Sequence, residues 1–332
     1  MLQFSLSVLI YLVASRLPSK TVVYASTPQP FACFASLIYA KITNKRFVLE
    51  IRDLWPESLF SLGLMQQKSI TGKLLNMLDL TLVHLSEFVV TLLPQACEYY
   101  NSKGIRDKKF VYIPNGFAYV DYELTQHSLA KSNSEQAFIH SIPSQDQHPF
   151  VFCYFGALGY ANAAHILIET CALLNSMVES SEYKLKIIGA GPEKDKIRQL
   201  IYLHNLPNVE LLPPVPKSRI FADVRDVMCF IFHLRPADVF RYGISPNKLI
   251  DYMILGKPII FCGDTWPNPL KTAGAAITAQ AMNPSNIAEI MLATMRMSFS
   301  ERERLGGKAR EYAITNHSFP VLADKLREAL WR

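Results

Sequence analysis

The residues of this chain best suited to chemistry stand in one short run, Ser245-Pro246-Asn247-Lys248, with Asp251 close behind. Serine is a favoured N-cap, and proline fits a first helical position because no N–H is needed there, so the run predicts a helix start. The unbonded N–H groups of Asn247 and Lys248, the positive end of the helix and the lysine charge together make an anion site. Asp251 follows one turn on, placed to accept hydrogen bonds from hydroxyls of the molecule that carries the anion. Gly256 ends the helix, and Lys257-Pro258 leads into an apolar strand. A phosphate cradle backed by a hydroxyl-binding carboxylate suggests a nucleotide-sugar site.

Other loops add candidates. Gly156 and Gly159, then Gly189 and Gly191, follow apolar strand-like runs, where glycine lets backbone approach a phosphate or sugar closely. The second pair lacks the third glycine and the following acidic residue of a dinucleotide fingerprint, which argues against a nicotinamide enzyme. Arg241, Tyr242 and Gly243 precede the opening motif and extend the donor-side set. Arg52, Asp53 and Glu57, with Trp55 between them, follow another strand and form a candidate acceptor-side or catalytic cluster; an Arg–Asp pair capping a turn is the plainer reading. Asn115-Gly116 makes a tight turn, with Asn115 expected to support the site from behind. His84 and His165 lie on helical patterns and read as ordinary surface or core residues.

The elements that must position these groups alternate. Apolar β-rich runs at 21–26, 47–51, 88–92 and 110–113 are separated by helical patterns at 31–41, 69–84 and 94–102. The rhythm breaks over 121–149, a stretch of linker composition. It restarts with strands at 150–155, 183–188, 209–212, 227–232, 259–262 and 275–277. Helices are expected at 161–177, from the 189–192 loop to about 204, at 284–297, 300–315 and 320–331. The pattern implies an α/β protein with two doubly wound parallel sheets facing a cleft. The expected divisions are 1–120, a linker 121–149, a second domain 150–316 and a C-terminal helix 317–332 that packs back on the first.

Composition bounds the rest. The chain has 332 residues, 50% hydrophobic and 19% charged, with a net charge of +6, enough for two full cores and no disordered class. No interleaving of aromatic and basic residues points to nucleic acid. The densest basic cluster, Lys103, Arg106, Lys108 and Lys109, is either a solvated loop or a contact for an anionic membrane or pyrophosphate-linked acceptor. Six cysteines without C-x-x-C spacing read as small core residues of a reduced, cytosolic protein. The apolar stretch 2–14 lacks a basic start and is short for a bilayer span, so a buried helix is expected.

Three segments together resemble a known family: Phe47 to Ser58 (FVLEIRDLWPES), Ile113-Pro114-Asn115-Gly116, and Tyr242 to Met253 with Gly256-Lys257-Pro258. They are similar to GT-B fold glycosyltransferases of family four, in the branch of WbuB-like L-fucosamine transferases of capsule and O-antigen biosynthesis. The resemblance implies two Rossmann-like domains, the first incomplete, lacking roughly the first 70 residues of a full family member by usual element lengths. It implies a nucleoside-diphosphate sugar, UDP-linked, held by the second domain, with Asp251 on the ribose. The family's other acidic position falls on Gly243, and its diphosphate-gripping Arg and Lys are absent from 156–162, leaving Lys248 with Arg241 or Arg235 for that task.

The activity implied is retaining transfer of a hexosyl or N-acetylaminosugar group to a surface-polysaccharide or lipid-linked acceptor. Lys248 would stabilise the leaving diphosphate, and Arg52, Asp53 or Glu57 would position the acceptor or take its proton. No cofactor or metal is expected, and peripheral contact with the inner membrane face is. Competing readings are an inactive nucleotide-sugar-binding remnant and an epimerase of the same fold.

Overall fold

The computed structural model describes residues 2–118, 149–263 and 267–331. The expected linker 121–149 lies almost wholly outside the described residues. The first half runs α1 (Leu2–Ala14), β1 (Val22–Ser26), α2 (Pro30–Ile42), β2 (Arg46–Ile51), α3 (Glu57–Ser61), α4 (Ile70–Leu85), β3 (Val89–Thr91), α5 (Ala96–Ser102) and β4 (Phe110–Tyr112). The second half runs β5 (Phe150–Phe155), α6 (Ile166–Leu174), β6 (Tyr183–Ile188), α7 (Lys194–Leu203), β7 (Val209–Leu212), α8 (Lys217–Asp223) and β8 (Cys229–His233). It closes with α9 (Asn247–Leu255), β9 (Ile259–Cys262), α10 (Pro269–Thr272), β10 (Ala276–Ala279), α11 (Pro284–Met295), α12 (Phe299–His317) and α13 (Phe319–Trp331).

Both sheets are parallel throughout. The second has the order β10-β9-β8-β5-β6-β7, so it winds outward from β5, returns, and resumes beside β5 at β8. Apolar clusters line both of its faces, as expected of strands covered by helices on two sides. Its central strand β5 is buried along its whole length. The first sheet has the order β1-β2-β3-β4. The doubly wound expectation therefore holds in full for the second sheet, whereas the described part of the first is wound one way only. Right-handed crossovers that step in one direction put their helices on one face. Phe47, Leu49 and Ile51 accordingly share a cluster with α2, α4 and α5, while Val48 and Val90 face Leu322 and Ala329 of α13.

The C-terminal helix thus covers the otherwise bare face of the first sheet. Its entry is pinned by backbone: Phe117 N–H donates to His317 O at 3.0 Å, and Phe319 N–H to Phe117 O at 3.0 Å. The chain breaks at Ser318 alone between α12 and α13.

Three local expectations need correction. The helix expected at 161–177 is a 3₁₀ turn over Tyr160–Asn162, a left-handed Ala163, and then α6. The short helices α3 and α8 were not legible, being too brief for a periodic signal. The segment 2–14 is helical, but it is not buried: Ser5 is its sole buried side chain among those described, with Leu9 and Leu12 partly packed on the core. It packs on α2, at the β1 end of the first sheet, with little else to cover it. No helix among the described residues is long and apolar enough to cross a membrane.

Candidate functional site

In an open parallel sheet, ligands bind beyond the carboxyl ends of the strands where the strand order reverses. Here that point lies between β5 and β8. The loop leaving β5 carries Gly156 and Gly159, β8 ends on His233, and the chain returns to the same place at the start of α9.

Lys248 sits at the centre. Its Nζ donates to the Tyr154 hydroxyl at 3.0 Å and to Asn162 Oδ1, and lies 4.6 Å from the Tyr154 ring centroid and 4.8 Å from that of Phe232. No ion pair joins it to a carboxylate among the described residues. Burial alone lowers its pKa from 10.5 to about 7. Lys248 is half-buried, and a partly desolvated cation with neutral partners only is costly in the empty protein, a cost that an arriving anion relieves.

Of the four glycines, Gly156 makes room for this lysine. Gly156 has φ +150°, and a Cβ there would lie 2.9 Å from Lys248 Cδ. A Cβ on Gly189 would lie 2.0 Å from Gly156 O, and one on Gly191 2.3 Å from Leu158 O, so the two loops abut. Gly159 alone of the four faces open space.

His233 is fully buried, and its Nδ1 is 2.7 Å from Asn162 O. A carbonyl only accepts, so Nδ1 carries the proton and Nε2 is left as an acceptor, with no partner in the structure. Burial lowers its pKa to about 4 and keeps it neutral. Arg235 lies 4.2 Å over the Tyr160 ring, fixed by its own N–H to Ala161 O at 2.8 Å.

The start of α9 departs from expectation in one respect. Pro246, with ψ 129°, is the residue before the helix, and Ser245 caps nothing. Ser245 Oγ instead accepts the Asn115 N–H at 2.9 Å, and Ser245 O accepts from Asn115 Nδ2. The N–H groups of Asn247 and Lys248 still open the helix, without a serine cap. Asp251 lies one turn in, nearly buried and 2.8 Å from Lys217 Nζ of α8. Burial raises its pKa, with Lys217 opposing.

Arg241, Tyr242 and Gly243 belong to the domain junction. Tyr242 and Val239 are part of the first domain's core, and Tyr242 meets Tyr99 edge-on at 5.4 Å. Its carbonyl accepts the Gln95 N–H at 3.1 Å. Arg241 is exposed, and its Nη2 donates to the Tyr242 hydroxyl at 2.8 Å. Gly243 has φ +105°, and a Cβ there would lie 2.4 Å from Pro94 Cδ. The position where a carboxylate is expected is therefore filled by the neighbouring domain, and no side chain fits it.

On the first domain, Arg52 donates to Asn115 Oδ1 at 3.2 Å. Asn115 thus meets three residues, Arg52, Ser245 and His317, the last with Nδ1 2.9 Å from its carbonyl oxygen. Asp53 keeps an exposed edge while burial of the remainder raises its pKa. Glu57 is engaged: it accepts from the Tyr99 hydroxyl at 3.1 Å and pairs with Lys103 at 3.2 Å. That pair takes Lys103 out of the basic cluster of 103–109, and Lys108 donates to His84 O at 3.0 Å and to Ser86 O. Sequence reasoning missed Tyr154, Asn162, Lys217 and His233 as site groups. Their place at strand ends and in the 156–162 loop is the signal that could have found them.

Residues 149–296 match the family model "Glycosyl transferases group 1". No curated protein matches the chain in sequence. Among solved structures the chain is similar to HepE of Anabaena in complex with UDP, at 15% identity and a TM-score of 0.72, covering 97% of this chain and 81% of that one. It is similar to a sucrose-phosphate synthase from Thermosynechococcus elongatus at 14% identity and a TM-score of 0.69, covering 98% and 76%. It is also similar to a mutant of S. aureus TarM in complex with Fondaparinux, alpha-GlcNAc-glycerol and UDP, at 16% identity and a TM-score of 0.69, covering 98% and 58%. At these identities the structural likeness establishes the fold, which is GT-B: two Rossmann-like domains.

Proposed function

We propose that this chain, whose residues 149–296 are a group 1 glycosyl transferase domain, is a retaining glycosyltransferase. It uses a nucleoside-diphosphate sugar and transfers to a surface-polysaccharide or lipid-linked acceptor. The observation that carries the reading is the uncompensated Lys248 at the start of α9, held by Tyr154 and Asn162 at the sheet's reversal point. The UDP bound by the Anabaena and S. aureus proteins supports a uridine diphosphate donor.

In this reading the diphosphate lies against the N–H groups of Asn247 and Lys248 and takes the lysine ammonium as its counter-charge. Its ribose hydroxyls replace Lys217 as partners of Asp251. Negative charge grows on the diphosphate as the anomeric carbon–oxygen bond breaks, and fixed donors stabilise it most at that moment, an effect typically of several kcal/mol. The acceptor oxygen bonds to the anomeric carbon on the face the diphosphate leaves, and its proton passes to a phosphate oxygen or to Asp53. Arg52, held by Asn115, faces the acceptor side.

A second reading, nucleotide-sugar binding without turnover, is favoured by the engagement of Glu57 and by Gly243 lying against Pro94. Thermal-shift titration with a panel of nucleotides and nucleotide sugars tests both. Stabilisation by UDP and UDP-sugars is expected, and no stabilisation by any of them removes both readings. Release of UDP from the sugar nucleotide with an added glycan acceptor separates the first reading from the second.

A further inference from the structure

The first domain holds a buried cluster of ionisable groups outside the donor site. Asp79 of α4 is 6% exposed, and its two oxygens share the Tyr100 hydroxyl proton, at 3.0 and 3.1 Å. Tyr100 is fully buried between Tyr99, edge-on at 4.9 Å, and Phe110, stacked at 5.6 Å. Tyr99 in turn donates to Glu57 Oε2 at 3.1 Å. Lys103 Nζ lies 5.1 Å from the Tyr99 ring centroid and 3.2 Å from that same Glu57 oxygen. One lysine therefore stands beside one carboxylate, with a second carboxyl behind the two tyrosines.

The groups that face Asp79 come from three elements. Tyr99 and Tyr100 belong to α5, Lys103 follows it, and Glu57 opens α3. Asp53, just before α3, acts on Tyr100. Lys73 and His84 of α4 border the open groove that Lys103 also lines. Burial holds the Tyr99 and Tyr100 hydroxyls well above their ordinary value, so both remain donors. Burial raises Asp79 only to about 7, so its proton is the one this buried cluster can lose near neutrality.

An ionised carboxylate in that position would have a single hydroxyl to meet its charge, which is costly. Attraction to a cation is stronger there than at the wetter Glu57, because the surroundings screen less. Lys103 has a flexible four-carbon stem and a part-exposed side chain, so it can change partner. We propose that Lys103 is a shared cation: it pairs with Glu57 while Asp79 holds its proton, and turns to Asp79 when that proton leaves, releasing Glu57. In the glycosyltransferase reading, on which this consequence rests, Glu57 belongs to the acceptor side. Its engagement is then reversible, and its carboxylate is free to meet an acceptor above neutral pH.

The test is a carbon-13 NMR titration of the side-chain carboxyls of the full chain between pH 5 and pH 9, with Glu57 assigned through Glu57→Gln. Asp79 should titrate at about 7, and the Glu57 resonance should show an inflection at the same midpoint. Asp79→Asn should abolish that inflection. Lys103→Met should abolish it too, and should move the Asp79 midpoint about one pH unit higher, since the cation favouring the charged form is gone. Lys103 is at the surface, so this variant decides the matter should Asp79→Asn fold poorly. A Glu57 inflection that persists in Lys103→Met is the field of Asp79 alone and overturns the proposal. So does an Asp79 midpoint unmoved by Lys103→Met, an Asp79 that does not titrate in this range, or a Glu57 inflection lost in His84→Gln. The titration uses neither donor nor acceptor, so its failure leaves the donor reading to be decided by UDP binding.

Discussion

Glu57 of the first domain and Lys248 of the second are satisfied in different ways. In the first, Glu57 meets both an opposite charge and a hydroxyl, Lys103 and Tyr99, while the exposed Arg52 donates to the amide oxygen of Asn115. In the second, Lys248 is half-buried with an amide oxygen and a phenol as partners, and His233 keeps a buried Nε2 with none. A group satisfied in the empty protein has nothing to gain from a ligand. A half-buried cation without a counter-charge does, and that difference is why the proposed function puts the donor against the second domain.

The comparison can be broken at its loops. Gly189→Ala puts a Cβ against the Gly156 carbonyl, backbone on backbone, and should cost about 3 kcal/mol or more of stability. Gly159→Ala faces open space and should change the melting temperature little. Chemical denaturation of both variants checks the pair, and equal stability would mean the two loops do not abut.

Titration sharpens it. Burial raises the Asp79 pKa to about 7. The native carboxyl then holds a proton that the unfolded chain, at about 3.8, releases. Stability from this group is full below pH about 4, falls across the window from about 4 to 7, and is lost above it. Asp79→Asn should flatten that part of the stability–pH curve by on the order of 2 kcal/mol, read by urea denaturation at pH 5 and pH 8. An unchanged slope would show that Asp79 is ionised in the folded state.

The junction gives a smaller effect. Asn115→Ala removes the Nδ2 donor to Ser245 O and the acceptor of Arg52 together, keeping its backbone N–H on Ser245 Oγ, and should cost about 1–2 kcal/mol while weakening UDP binding only several-fold. Lys217→Met frees Asp251 from its ion pair and should change UDP affinity less than about threefold, since the pair is largely exposed on the lysine side. Calorimetric titration reads both, and a larger loss for Lys217→Met would make it a direct ligand contact.

Much of this was legible in the sequence. The strands at 150–155 and 259–262 fall where their apolar runs placed them, because strands buried on both faces leave an unbroken signal, and those at 183–188 and, on the sheet edge, 209–212 also fall where expected. The start of α9 was legible as a helix start, although its cap was not: Ser245 is claimed by Asn115, a contact between residues of different domains that local spacing does not encode. Gly243 read as a missing carboxylate, and only the packing of Pro94 shows why nothing larger fits. The exposure of α1 was likewise hidden, since an apolar helix reads alike whether protein covers it or not.

The most direct test of the central claim is calorimetric titration of UDP into the wild type and Lys248→Met between pH 6 and pH 9. The free lysine titrates at about 7, and the bound diphosphate favours its charged form, so binding takes up a proton above that pH. Wild-type affinity should fall as pH rises through 7 to 9. Lys248→Met should bind about 10- to 100-fold more weakly at pH 6 and show no such fall, as loss of a charged hydrogen bond predicts. Equal affinity of the two proteins at pH 6, with the same pH profile, would contradict the account.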